Sequence, residues 1–154
     1  MDRIRPLVPE DYRHAGRICF CAVHEGTRDI YSPAQRVAWG GETIDLDGWR
    51  QRIAGLEGLI AEVAGEPVGF MTIDRTGYID LAFVLPSQAR RGVGAALLRA
   101  VEARARAWGA GMLTTEASRA ARPFFARHGW EVVATQQVQR NGVTLERYAM
   151  RKRL

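Results

Sequence analysis

The feature that most constrains this chain is a strand-to-helix turn punctuated by glycine. Tyr78 to Val84 is rich in β-branched, aromatic and aliphatic residues and predicts a strand. After the turn, Val93, Leu97, Leu98, Val101 and Ala105 recur at helical spacing as far as Trp108. Between them lies Leu85-Pro86-Ser87-Gln88-Ala89-Arg90-Arg91-Gly92-Val93-Gly94. A helix N-terminus offers unpaired backbone N–H groups and a partial positive charge. Gly92 and Gly94 carry no side chain, so an anion such as a phosphate can approach those N–H groups closely. Arg90 and Arg91 add two fork-shaped cations. Taken alone, the same residues also fit a plain capped turn with two solvated arginines.

Two common phosphate loops fail on these residues. The dinucleotide fingerprint needs a third glycine three residues after the second, where Leu97 stands, and its acidic partner is missing apart from Glu116. A Walker-type loop needs Gly-Lys-Ser or Gly-Lys-Thr, and the one lysine of the chain is Lys152.

Val84-x-Pro86 followed by Arg91-Gly92-x-Gly94-x-x-Leu97-Leu98 resembles the acyl-CoA pyrophosphate loop of the GNAT superfamily of N-acetyltransferases. Downstream, Ser118-Arg119-Ala120-Ala121-Arg122-Pro123-Phe124-Phe125, closing on Gly129-Trp130, resembles the family's next motif. The resemblance is strong from Tyr78 to Trp130, moderate to the C-terminus and weak before Leu59. It implies an α/β fold of mixed α+β type, with a central sheet of about seven strands and flanking helices. It also implies acetyl-CoA as co-substrate, no metal, and a small-molecule or peptide amine as acceptor. A non-catalytic acyl-CoA-binding module is the alternative reading.

Bulk properties agree with such a reading without selecting it. The 154 residues suit one domain over 1–154, with 47% apolar and 25% charged residues. No apolar run is long enough to span a bilayer, and Met1 to Pro6 lacks the apolar core of a secretory signal, so a cytoplasmic location without membrane contact is expected. The net charge of +5 suits a polyphosphorylated ligand. The arginines are spread along the chain without interleaved aromatics, which argues against nucleic acid as partner. Cys19 and Cys21 lie two apart on a predicted helix and point to different sides, which suits neither a bridge nor a metal.

In chain order, Ile4 to Leu7 predicts a strand and Pro9 to about Glu25 a helix. Ser32-Pro33-Ala34-Gln35 predicts a second helix through a capping box, ending at Gly40-Gly41. Asp47 is the expected cap of a third short helix. In folds of the GNAT type this region walls the acceptor site, which makes Tyr31, Trp39 and Trp49 candidate contacts besides packing residues. Leu59 to Val63, Val68 to Asp74 and Tyr78 to Val84 predict an antiparallel meander. Met112 to Glu116 predicts a strand parallel to one of them across the long helix. Pro123 falls in the first turn of a helix that His128-Gly129 ends, and Asn141-Gly142 marks a terminal hairpin. Arg151-Lys152-Arg153 is expected as a solvated tail or strand end. Pairing of two protomers through the C-terminal strands, giving a homodimer, is left open by the residues.

Acetyl transfer to an amine requires a held thioester, a base for the ammonium proton, a donor for the carbonyl oxygen and a fate for the leaving thiolate. The resemblance implies that the backbone from Arg90 through Arg91, Gly92, Val93 and Gly94 to Ala95 cradles the pyrophosphate. It implies that Ala82 and Val84 bond the pantetheine arm, with the Ala82 N–H as oxyanion donor. The family's usual Gln or Arg before the first glycine is Ala89 here, with Gln88 one place away. Strand alternation would set Tyr78, Asp80, Ala82 and Val84 on one face if the strand has no bulge. Asp80 is the expected base, a paired structural carboxylate being the competing reading, and Glu116 is the second candidate. Ser118 stands where the family commonly has Asn, and Phe125 where many members carry a proton-donating Tyr. Phe125 cannot donate, which leaves Tyr78, Tyr148 or water as the acid. His128 reads as a helix C-terminal cation, and His24 is a weak candidate for the acceptor site.

Overall fold

The computed structural model describes residues 2–154, so Met1, the start of the N-terminal stretch read above, lies outside it. Among the described residues, eight strands form two four-stranded sheets. The first is antiparallel: β1 (Asp2–Pro6), β2 (Gly58–Val63), β3 (Glu66–Thr72) and β5 (Ala82–Val84), in that order. The second runs β4 (Tyr78–Ile79), β6 (Met112–Ser118), β8 (Val143–Arg153) and β7 (Glu131–Arg140). Its β4–β6 pair is parallel, with Tyr78 opposite Thr114. The predicted meander and crossover are therefore both present.

The predicted strand Tyr78–Val84 is not continuous. It breaks at Asp80-Leu81, its first half joining one sheet and its second half the other. Thr72 holds the break, because its Oγ1 accepts from the N–H groups of both Asp80 (3.2 Å) and Leu81 (2.9 Å). The extra residue reverses alternation. Ile79, then Ala82 and Val84, belong to the core around the long helix α4 (Val93–Ala107), whereas Leu81 and Phe83 belong to the other core. Tyr78 and Asp80 thus share the face of Leu81 and Phe83, not that of Ala82 and Val84 as unbroken alternation required.

The two cores lie on opposite faces of the first sheet. One packs Leu97, Leu98, Val101 and Ala105 of α4 against Leu59, Met71, Ile79 and Leu113. The other packs Ile60, Phe70 and Leu81 against Ala15 and Ile18 of α1 (Tyr12–His24) and Ile53 of α3 (Leu46–Ala54). Burying a side chain of this kind stabilises the fold by about 1.5–3 kcal/mol.

The local signals mostly hold. Helix α2 (Pro33–Gly40) starts with the predicted box, Ser32 Oγ accepting from Gln35 N–H at 3.1 Å and Gln35 Oε1 from Ser32 N–H at 3.0 Å. The cap of α3 is Asp45, which accepts from Gly48 N–H at 3.0 Å, and not Asp47, which lies in the first turn. Pro123 sits in the first turn of α5 (Arg122–Arg127). Asn141 and Gly142 both have positive φ (50° and 77°), as a tight hairpin turn requires. Arg151-Lys152-Arg153 extends β8 rather than forming a tail, and Lys152 Nζ reaches Glu102 Oε1 of α4 at 2.9 Å. Cys19 is buried and Cys21 half-buried, and both are free. No helix of the described residues is long and apolar enough to cross a membrane.

Candidate active site

The split strand opens a gap between the sheets. Leu81 C=O and Leu85 N–H bond to β3, accepting from Thr72 N–H and donating to Val68 C=O. Alternation along an antiparallel strand then turns the N–H and C=O groups of Ala82 and Val84 the other way, into the gap. The strand thus presents an unpaired backbone edge inside the protein. An elongated ligand with amide groups can pair with such an edge as an added strand would.

At one end of the gap stands the N-terminus of α4. Arg90 (φ 62°) and Gly92 (φ 86°) both adopt left-handed backbone, which folds the loop back over the helix start. Gly92 is the N-cap and no side chain caps the first turn. Its first internal helical bond runs from Ala96 N–H to Gly92 C=O, so the N–H groups of Val93, Gly94 and Ala95 point out unpaired. A Cβ on Gly94 would come within 3.1 Å of the Phe124 ring, so the absence of a side chain there makes room for that ring against the helix start. Arg90 and Arg91 are exposed and form no ion pair among the described residues. This cradle of donors fits a pyrophosphate.

Beyond the gap lies a cleft of about 420 Å³. Tyr78, Asp80, Ala82, Glu116, Ser118 and Phe125 all border it, although they come from four different elements and a loop. Phe20 and the candidate acceptor residues Tyr31, Trp39 and Trp49 line the same cleft. Tyr31 and Trp39 meet edge-on at 5.5 Å, and Trp39 lies 6.0 Å from Phe83. The hairpin of β7 and β8 adds Arg140, Glu146 and Arg147, a contribution that sequence reasoning missed because it depends on long-range placement.

The two carboxylates differ in their partners. Asp80 Oδ2 accepts from Arg52 at 3.2 Å, and Oδ1 has no partner among the described residues. Glu116 is held at both oxygens, by the Tyr78 hydroxyl at 3.0 Å and by Arg147 at 2.8 Å. Burial, reinforced by the Glu116 carboxylate, pushes Tyr78 up to about 12, so it stays protonated. Ser118 Oγ accepts from Ala121 N–H at 3.1 Å, in the turn that leads from β6 to α5. Phe125 is buried between Phe124 and Trp130, with ring centroids at 5.3 and 4.9 Å. His24 is tied to Gly41 C=O at 2.7 Å and stacks on Phe20. His128 is the C-cap of α5 and stacks on Phe124 at 4.8 Å. Among the described residues there is no group of three or more His, Cys, Asp or Glu side chains able to hold a metal ion.

A family model described as an acetyltransferase (GNAT) domain matches residues 27–152. An uncharacterized N-acetyltransferase, YafP of Escherichia coli K12, is 35% identical over 150 residues, covering 97% of this chain and 94% of that protein. The crystal structure of a GCN5-related N-acetyltransferase from Rhodopseudomonas palustris superposes with a TM-score of 0.92 at 35% identity, covering all of this chain and 96% of that one. An acetyltransferase fold from Salmonella typhimurium, YncA, solved with acetyl-CoA, matches at TM-score 0.74 and 19% identity over 99% and 94% of the two chains.

Proposed function

The chain belongs to the GNAT family of acetyltransferases, and from that premise we propose that it moves the acetyl group of acetyl-CoA to an amine by direct attack in a ternary complex. It acts as one domain over residues 1–154. The acceptor is a small-molecule or peptide amine that enters along the aromatic wall of Tyr31, Trp39 and Trp49.

The observation that carries this reading is the unpaired edge of β5, continuous with the uncapped N-terminus of α4. Bound acetyl-CoA supplies the activated thioester. The N–H groups of Val93, Gly94 and Ala95, with Arg90, Arg91 and the Gly92 turn, hold the pyrophosphate. Ala82 and Val84 bond the pantetheine amides, and the Ala82 N–H faces the carbonyl oxygen as charge develops on it. Ser118 and Phe125 form the far wall of the thioester channel.

Asp80 is the base. Its free Oδ1 borders the cleft, while the Arg52 pair fixes the other oxygen. Glu116 is the weaker candidate, because donors occupy both of its oxygens. It orients Tyr78 through the hydroxyl that donates to it.

Isothermal titration with acetyl-CoA, followed by thiol release against a panel of amines, tests the function. Binding with release for some amine is the expected result. Binding without release from any amine would favour a non-catalytic acyl-CoA module, and absence of binding would overturn the reading of the α4 turn.

A further inference from the structure

Departure of a thiolate leaves one proton unassigned, and the tyrosines of the chain differ in whether they can supply it. The Tyr78 hydroxyl donates to Glu116, and the Tyr148 hydroxyl donates to Glu146, so both protons are committed to carboxylates. Tyr12 lies outside the cleft and pairs with Arg50. Phe125 has no proton to give. Tyr31 is different. It is 5% exposed, it borders the cleft, and its hydroxyl oxygen accepts from the Arg119 N–H at 2.8 Å. The Ala120 N–H and the Ser118 hydroxyl lie close by and favour its ionised form, without a hydrogen bond to it. With the Arg119 N–H on the phenol oxygen, its own O–H points elsewhere, and among the described residues no hydrogen bond takes that proton.

We propose that Tyr31 is the general acid of this enzyme, donating its hydroxyl proton to the sulfur that leaves. The inference rests on the acetyl-transfer reading above. The amine nitrogen forms a bond to the acetyl carbon, and the C–S bond breaks with its electron pair going to sulfur. The sulfur takes the Tyr31 proton and departs as a thiol. The resulting phenolate is held by the Arg119 N–H and favoured by the nearby Ala120 N–H and Ser118 hydroxyl. It recovers a proton from solvent, which balances the proton that the amine loses to Asp80.

The placement supports this role. Tyr31 docks on Arg119, in the turn between the end of β6 and the start of α5, and Ser118 and Phe125 line the same cleft. The phenol therefore comes from the loop before α2 to a wall whose own aromatic side chain cannot donate. The edge contact with Trp39 at 5.5 Å fixes the ring. Burial raises the Tyr31 pKa while the Arg119 N–H and the neighbouring Ala120 and Ser118 groups oppose that rise, so the group is protonated at neutral pH.

The test compares wild type, Tyr31→Phe and Ser118→Ala. Four readouts are taken: acetyl-CoA affinity by titration calorimetry, thermal stability, the ultraviolet phenolate titration, and the pH profile of thiol release with hydroxylamine and a panel of primary amines. Tyr31→Phe is expected to bind acetyl-CoA within about twofold of wild type, yet to lose roughly 10- to 100-fold in kcat. It should also lose one phenolate transition and the matching alkaline limb of the profile. Ser118→Ala removes a donor that favours the phenolate, so its alkaline limb should move to higher pH. If wild type turns over and Tyr31→Phe retains both kcat and the alkaline limb, the acid assignment falls and the transferase reading stands. If Tyr31→Phe lowers stability and affinity together with kcat but keeps the limb, Tyr31 is a structural tie and the proposal is wrong. If wild type neither binds acetyl-CoA nor releases thiol with any acceptor, both readings fall together.

Discussion

Thr72 and Leu81 exchange two hydrogen bonds, one of which a regular ladder would not contain. The Thr72 N–H donates to Leu81 C=O at 2.9 Å, and the Leu81 N–H donates back to the Thr72 side chain at 2.9 Å. The hydroxyl thus takes the place of a backbone carbonyl, and the strand is free to leave one sheet for the other. Both the backbone edge of Ala82 and the position of Asp80 depend on this exchange, because Asp80 N–H shares the same oxygen.

Thr72→Val should therefore damage both stability and function. The substitution keeps the shape but leaves two N–H groups without their acceptor in a place where Thr72 is 1% exposed. Such losses cost about 1–3 kcal/mol. Thr72→Ser retains the oxygen and should keep kcat near wild type. Chemical denaturation of the two variants, with thiol-release kinetics beside it, distinguishes loss of the hydroxyl from loss of the methyl group.

Asp80→Asn removes a proton acceptor without changing size. If Asp80 takes the ammonium proton, kcat should drop by roughly 10²- to 10⁴-fold, with acetyl-CoA affinity unchanged. Glu116→Gln should cost less, because that carboxylate serves Tyr78 and Arg147 rather than the amine. A larger loss in Glu116→Gln than in Asp80→Asn would move the base to Glu116.

How much of this was legible in the residues can be seen at the same strand. The composition of Tyr78–Val84 marks a strand, and the glycines after it mark an anion-binding helix start, because both signals are local. The break at Asp80-Leu81 carries no such signal. It is specified by a hydroxyl eight and nine positions earlier, on a strand whose partner is known only once the sheet has formed. The cap of α3 is a smaller instance: Asp45 and Asp47 are equally good cap residues, and only the chain's path decides that Asp45 stays outside the helix. Tyr31 was visible as an aromatic residue of the acceptor region. Its contact with Arg119 spans 88 positions and belongs to the tertiary structure alone.

Gly92→Ala separates backbone conformation from space. A Cβ at Gly92 would meet nothing within 4 Å, whereas φ is +86°, so the cost is conformational. A non-glycine residue in left-handed backbone costs about 1–2 kcal/mol. The helix start should relax toward ordinary φ and misdirect the N–H groups of the cradle. Acetyl-CoA affinity is expected to fall about tenfold with little change in kcat at saturation, which titration calorimetry and steady-state kinetics resolve. Gly94→Ala tests the opposite term, since its neighbour Phe124 must give way at 3.1 Å.

Lys152→Met tests the link between β8 and α4. The chain's one lysine pairs with Glu102, whose side chain is 10% exposed and whose other neighbour, Arg106, is 3.9 Å away. Removing the ammonium leaves a largely buried carboxylate with a weaker partner, at a cost of about 1–3 kcal/mol. A companion Glu102→Gln substitution should recover part of that loss, which a double-mutant cycle in urea would read directly.

The acid stability of the fold should depend on Asp11. Burial raises its pKa, but the Arg5 guanidinium, bonded to both carboxylate oxygens at 2.8 and 2.9 Å, and the Val8 N–H at 2.9 Å outweigh that effect. The folded pKa is thus held below the usual carboxylate range. A group depressed on folding contributes stability that is complete above its unfolded pKa, about 3.9, and is lost as pH falls through the folded value. Breaking a buried pair costs about 3–5 kcal/mol, and Arg5 keeps a fifth of its side chain exposed and also contacts Glu62 at 3.1 Å, so the lower end applies. Asp11→Asn should therefore be destabilised by about 3 kcal/mol at pH 7 and by progressively less below pH 4. Urea midpoints measured from pH 2.5 to 7 should converge for the two proteins at the acid end. Parallel curves across that range would mean that Asp11 does not carry this part of the acid sensitivity.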